Sequence, residues 1–242
     1  MVVEMKDNFS IWSTPNEKKR ILRYLLFWNQ RNKVKKHLYT PLIIGEKCKG
    51  ILLDNQLVKS ILFSTDLALI ENNDCDAILA VYPFPPSKKI MKSLIEFSNK
   101  PVICGIGGGI TQGSIALNMA VEAEQLGASA VIVNQPFRNS DILKIRKKIS
   151  IPILSSVSAL NFNFKERIES GVSFFHITGG QNTTRIIEHI KENFPDIPFI
   201  CTGGKLMSDL KEVIAKEVSG VVLTPPSNGD LFKKIMHNYR NS

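Results

Sequence analysis

The sequence predicts an α/β fold: a (β/α)8 barrel with an N-terminal helical extension. Three observations carry this expectation. Short β-branched runs recur from about residue 100 onward: PVICG (101–105), AVIVN (130–134), IPILSS (151–156), FFHIT (174–178), PFICT (198–202) and GVVLT (220–224). The segments between them space their apolar residues helically, as in Ile186, Ile187, Ile190 and Phe194, or Leu206, Leu210 and Ile214. The last four runs begin 22 to 24 residues apart. Strands that are apolar on both faces and alternate with helices read as parallel βα units, because helices cover both sides of such a sheet.

Upstream, AILAV (77–81) is a further strand. The first strand has two candidates, PLIIG (41–45) and SILFS (60–64). SILFS leaves only about a dozen residues before AILAV, the minimum for a crossover containing a helix. PLIIG leaves ample room and is preferred. Ser64, Thr65 and Asp66 then cap a helix through Leu67, Leu69 and Ile70, and GILLDNQLV forms a small hairpin turning at Asp54-Asn55. Either choice gives eight strands, the number that closes a barrel. Residues 1–39 form the extension and 40–242 the barrel. A helix over about 16–37, with Ile21, Tyr24, Leu25 and Trp28 as its apolar stripe, is expected to cover the barrel floor.

Composition narrows the partners. The 242 residues carry a net charge of +9, of which residues 1–39 supply nine basic against three acidic side chains. Such a segment fits a solvated helix face or, as an alternative, an arm for RNA or DNA. Cys48, Cys75, Cys104 and Cys201 lie far apart, so reduced thiols in a cytoplasmic protein are expected rather than disulfides or a zinc site. No apolar run approaches the roughly 20 residues that span a bilayer, and no membrane partner is expected. Phe27 and Trp28 also suit a subunit contact in a homo-oligomer.

In such a barrel the chemistry gathers at the carboxyl ends of the strands. Alternation puts His176 and Thr178 inward, with Phe175 and Ile177 facing the helices. By the same parity Asn134, Thr202 and Thr224 end their strands inward, with Tyr82 at the second strand and Glu46 at the first. His176, with Glu46 and Asn134, is the candidate catalytic set, since an imidazole moves protons near neutral pH. His176 paired with a Thr or Ser of a neighbouring strand is the competing account. Tyr82, Gly107, Gly108, Gly109 and Thr224 would line the pocket. The run GIGGGITQG (105–113) lacks the spacing of a dinucleotide fingerprint and reads as a glycine loop at the mouth.

Thr178-Gly179-Gly180 and Thr202-Gly203-Gly204 close neighbouring strands and open into helices. Glycine admits close approach of a ligand to the main chain, and a helix start presents unpaired N–H groups. Together they suggest a phosphate site, with Lys205 as a partner and Ser227, Asn228 and Gly229 as its second half. No Schiff-base lysine ends a strand. A divalent cation would draw on Glu46, His176 and Asp66, but their spacing does not demand one, so no cofactor or metal is expected.

Thr202-Gly203-Gly204 after PFIC resembles the strand-seven motif of phosphate-binding TIM barrels, the group of thiamine-phosphate synthase and the keto-deoxy-phosphogluconate aldolases. That resemblance implies phosphate held after strands seven and eight, at Gly203, Gly204 and Ser227 to Gly229. Pro225-Pro226 departs from the small turn usual there. The stretches ILFSTDLALIENNDCDAILAVYPF and LTPPSNGDLFKKIM are similar to bacterial barrel proteins labelled loosely as hydrolases. The expected function is a cytosolic enzyme acting on a small phosphorylated or anionic metabolite, as lyase, isomerase or hydrolase. The alternative is a metabolite-sensing regulator that uses its basic segment on nucleic acid.

Overall fold

The computed structural model describes residues 11–12, 38–81 and 87–240. Eight parallel strands close a barrel in chain order: β3 (Ser60–Phe63), β4 (Ala77–Ala80), β5 (Val102–Gly107), β6 (Ala130–Val133), β7 (Ile153–Val157), β8 (Phe174–Ile177), β9 (Phe199–Thr202) and β10 (Gly220–Leu223), with β10 pairing back onto β3. Around it run α2 (Leu67–Glu71), α3 (Lys88–Phe97), α4 (Gly113–Gln125), α5 (Asn139–Arg146), α6 (Phe164–Glu169), α7 (Thr183–Asn193), α8 (Met207–Ala215) and α9 (Asn228–Arg240). The (β/α)8 TIM barrel is the fold the sequence predicts.

Strand alternation splits the core in two. Ile61, Leu79, Ile103, Ile132, Leu154, Phe174, Ile200 and Val222 fill the barrel interior. Leu62, Ile78, Cys104, Val131, Ile153, Phe175, Cys201 and Val221 face the helices. Both faces of every strand are therefore apolar, which is why the runs read as continuous rather than alternating.

The first barrel strand is 60–63, not 41–45. PLIIG and its successors form a short helix, α1 (Leu42–Lys47), and one turn of helix suffices between β3 and β4. The segment left over is the hairpin β1 (Ile51–Leu53) and β2 (Gln56–Val58). Its turn puts Asp54 and Asn55 at φ 48° and 62°, the left-handed pair that matches the twist of a two-residue hairpin. Ile51, Leu53 and Val58 belong to the interior core. The amides of Lys49 and Gly50 reach Val218 and Ser219, just before β10, and the Asp54 carboxylate takes the Ser129 hydroxyl just before β6. These are the amino ends of the strands, so the hairpin plugs the floor. The helix expected there lies outside the described residues.

Ile11 and Trp12 are buried in the outer core, and Trp12 Nε1 donates to the Thr224 carbonyl at 3.3 Å. Part of the expected extension thus packs against the carboxyl end of β10. Asp66 caps α2 by accepting from Ala68 N and Leu69 N, as expected.

Candidate functional site

The inner wall turns polar one layer below the mouth, on β7, β8 and β9. Phe174 and Leu154 fill the interior, and two residues further on come His176 and Ser156, directly opposite each other in the β7–β8 register. Thr202 follows the inward Ile200 on β9. His176 is 5% exposed and lies between them: Nδ1 is 3.3 Å from Ser156 Oγ, and Nε2 is 3.2 Å from Thr202 Oγ1. Both hydroxyl residues are only half-buried and reach the mouth. Burial lowers the imidazole pKa from 6.5 to about 4, because a low-dielectric wall disfavours the charged ring. At neutral pH His176 is therefore neutral, with one nitrogen donating and the other accepting. The inward placement of His176 and Thr202 follows the sequence parity, and the pairing with neighbouring hydroxyls is what the competing account of His176 expects. Neutral-pH titration does not. Ser156 was missed as a site residue, although the same parity applied to IPILSS places it in this layer.

Among the described residues, further polar groups stand at the rim after β6, β8 and β10. Asn134, exposed after β6, sets its side-chain amide 3.0 Å from where a Cβ on Gly108 would stand. Thr178 is exposed after β8, its hydroxyl leaning on the Val157 carbonyl at 3.4 Å. Thr224 is exposed after β10. On β3 and β4 the wall is apolar. Phe63, inward by alternation from Ile61, is 38% exposed, and Val81 packs on the interior core. Tyr82 lies outside the described residues. The glycine loop after β5 is compact: Gly108 N donates to Thr111 O, and a Cβ at Gly107 would meet that same oxygen at 2.5 Å. It carries Ile110 at 95% exposure.

The two Thr-Gly-Gly turns differ. Gly180 sits at φ +54° with nothing within 4 Å of a would-be Cβ, and it is exposed. A 3-10 turn, Gly180–Asn182, leads into α7, which has no side-chain cap and no acidic residue in its first turn. In the second turn Gly203 is buried and its N–H donates to Val222 O. The amides of Lys205 and Leu206 both donate to Asp209 Oδ2, at 3.2 and 3.1 Å. These hydrogen bonds hold the Asp209 carboxyl below its usual range. The next helix is capped by a hydroxyl instead: Asp230 N donates to Ser227 Oγ, whose hydroxyl donates to Asp230 Oδ2 at 2.6 Å. Ser227 therefore caps α9 as expected, with Asn228 and Gly229 in its first turn. After β9 the protein's own Asp209 carboxylate stands where the resemblance to phosphate-binding barrels puts phosphate.

Glu46 lies on α1, whose neighbour Gly45 accepts from Lys59 Nζ just ahead of β3. This is the floor side, remote from His176, because the first strand is 60–63. Asp66 spends its carboxylate on its cap. The loose set of Glu46, His176 and Asp66 is thus not assembled, and among the described residues no group of three His, Cys, Asp or Glu could hold a metal ion. All four cysteines are free and buried. Burial raises Cys48 to about 11 and Cys104 to about 12, so these thiols stay protonated. No helix among the described residues is long and apolar enough to cross a membrane.

No family model matches the chain, and no curated protein matches it. Similarity is found to solved barrels. A phosphonopyruvate hydrolase aligns with TM-score 0.56 and 15% identity over 78% of this chain and 82% of its own. A phosphoenolpyruvate phosphomutase from Streptomyces platensis subsp. rosaceus gives 0.58 and 12% over 77% and 82%. The dihydrodipicolinate synthase of Aquifex aeolicus gives 0.54 and 18% over 74% and 72%. At these identities what is shared is the TIM-barrel fold.

Proposed function

We propose that the protein is an enzyme that binds a small anionic metabolite at the carboxyl-end mouth of its barrel and acts on it as a lyase, isomerase or hydrolase. The observation that carries this reading is that the two hydroxyl residues bonded to the buried His176, Ser156 and Thr202, are only half-buried and stand at the carboxyl ends of their strands. A fold does not need a polar row in an otherwise apolar interior, and the mouth is where barrels of this type place their reacting groups. The anion would sit over Gly180, where the main chain is open and α7 begins without an acidic residue, with Gly179 packed behind it against Ile186. Asn134, Thr178 and Thr224 would bind polar groups around it, and Lys205 would add positive charge at the rim.

The fold neighbours support the anionic class. One of them, a phosphonopyruvate hydrolase, was solved with oxalate and Mg²⁺. The described residues here do not supply an acidic set for such an ion.

Thermal shift and crystal soaks with oxalate and inorganic phosphate test the proposal. A ligand at a hundred times its dissociation constant stabilises by about 2.7 kcal/mol. Gly180→Asp should remove the effect by placing a carboxylate in the cradle. Anion density confined to other surfaces, with none at the mouth, overturns the reading.

A further inference from the structure

Two half-buried hydroxyls flank a buried imidazole on three successive strands, and each nitrogen of the ring has one hydroxyl. Among the described residues no carboxylate is in hydrogen-bond contact with the ring. A carboxylate on one nitrogen would fix the tautomer, as in the serine-protease arrangement. Two near-equivalent hydroxyls leave the tautomer open, because a hydroxyl can donate or accept. The low imidazole pKa adds that this ring cannot store a proton as charge near neutral pH.

From this geometry we propose that Ser156, His176 and Thr202 form a charge-neutral proton relay, carrying a proton from a hydroxyl of the substrate at one end to a carbonyl oxygen of the same substrate at the other. The inference rests on the reading that the mouth is an active site. In one direction the substrate hydroxyl gives its proton to Ser156 Oγ while Ser156 passes its own to Nδ1. Nε2 releases its proton to Thr202 Oγ1, and Thr202 passes its own to the substrate carbonyl. One substrate O–H bond breaks and one forms, the ring ends in the opposite tautomer, and no net charge is left behind. Water in the vacated mouth resets the ring by the reverse passage.

The substrate class follows from the balance. In a β-hydroxycarbonyl compound, the electron pair of the broken O–H bond becomes the new C=O bond. The pair of the cleaved carbon–carbon bond becomes the C=C of an enol, and the carbonyl π pair takes the delivered proton. Neighbouring strands stand about 4.8 Å apart. The two hydroxyls therefore face each other across two strand spacings, a gap that the oxygens of a short carbon chain can bridge. Phe63 and Val81 on the opposite wall suit an apolar substituent.

Nitrogen-15 NMR of the histidine-labelled full chain tests the relay without a known substrate. The expected result is a neutral His176 at pH 7 with both tautomers populated. Ser156→Ala should bias the proton to Nε2, and Thr202→Val should bias it to Nδ1, because an N–H is left buried without a partner in the alternative. A bias of about fivefold or more in opposite directions is expected, since one such hydrogen bond is worth about that ratio. Thr202→Ser should keep the mixture, which separates the hydroxyl from packing. A ring frozen in one tautomer in the wild type and both variants, or an imidazolium at pH 7, overturns the relay. Oxalate titration of the same samples reports separately on the mouth as an anion site, so the relay can fail while the site stands, and the reverse.

Discussion

The Asp209 carboxylate accepts the main-chain N–H of Leu206 at 3.1 Å and so occupies the start of α8. Lys205 N–H goes to the same oxygen. A helix start attracts anions through its unpaired donors and its dipole, and here the protein supplies the anion itself. Asp209→Ala should free both amides. Inorganic phosphate should then raise the melting temperature of the variant more than that of the wild type, while the variant alone melts lower for want of its cap. An equal phosphate response in the two proteins would mean that the second Thr-Gly-Gly turn cannot hold an anion even when vacated.

The glycines of the two turns should respond differently to alanine. A Cβ at Gly203 would stand 2.7 Å from Val221 Cγ1 and 3.3 Å from Leu210 Cδ1, in the packed shell between β9, β10 and α8. Overpacking of this kind costs about 1–3 kcal/mol. At Gly180 a Cβ meets nothing, and only the left-handed backbone at φ +54° resists it, at about 1 kcal/mol. Urea unfolding should therefore rank Gly203→Ala below Gly180→Ala. Oxalate binding should be weakened by the second, which narrows the open face of the turn, more than its stability loss accounts for.

His176 should make stability depend on pH. Its folded pKa, about 4, lies below the 6.5 of the free side chain, so the unfolded chain binds the extra proton first. The stabilisation is present in full above pH 6.5 and is lost as pH falls from there through about 4. The gap of about 2.5 units corresponds to about 3 kcal/mol at 1.36 kcal/mol per unit. His176→Gln removes the titration. The difference in unfolding free energy between the two proteins should shrink steadily between pH 6.5 and 4 and stay flat above 7. Asp141 and Glu124, both held below their usual values by hydrogen bonds that outweigh their desolvation, also titrate on acidification. They are present in both proteins and cancel in the difference.

Sequence periodicity was a good guide where the strand itself sets the geometry. Alternation alone places His176 and Thr202 on the inner wall, and applied to IPILSS it places Ser156 there with Leu154. It failed at the first strand because PLIIG and SILFS carry the same short apolar pattern, and the length of the crossover favoured the wrong one. The deciding fact is tertiary: β10 pairs with residues 60–62, and α2 needs only five residues to cross to β4. Glu46 was misplaced for that reason alone. The phosphate reading of Thr202-Gly203-Gly204 missed Asp209, although an acid three residues into a helix is a recognisable half of a capping box. The glycine spacing describes the backbone, and the side chain five residues on decides what fills it.

The floor hairpin gives the sharpest contrast between a plug and an ornament. Leu53 is buried in the barrel interior, while Leu52 beside it is 70% exposed and Leu57 across the pair is 54% exposed. If β1 and β2 seal the amino end, Leu53→Ala opens a cavity beneath the strands and should cost about 2–5 kcal/mol. Leu52→Ala and Leu57→Ala should stay within about 0.5 kcal/mol of wild type, as surface substitutions usually do. The floor is the far end of the barrel from His176, so the Leu53 variant should keep its oxalate affinity at temperatures where it remains folded. A loss of affinity in the folded variant would show that the plug sets the spacing of Ser156, His176 and Thr202 through the interior layers between them.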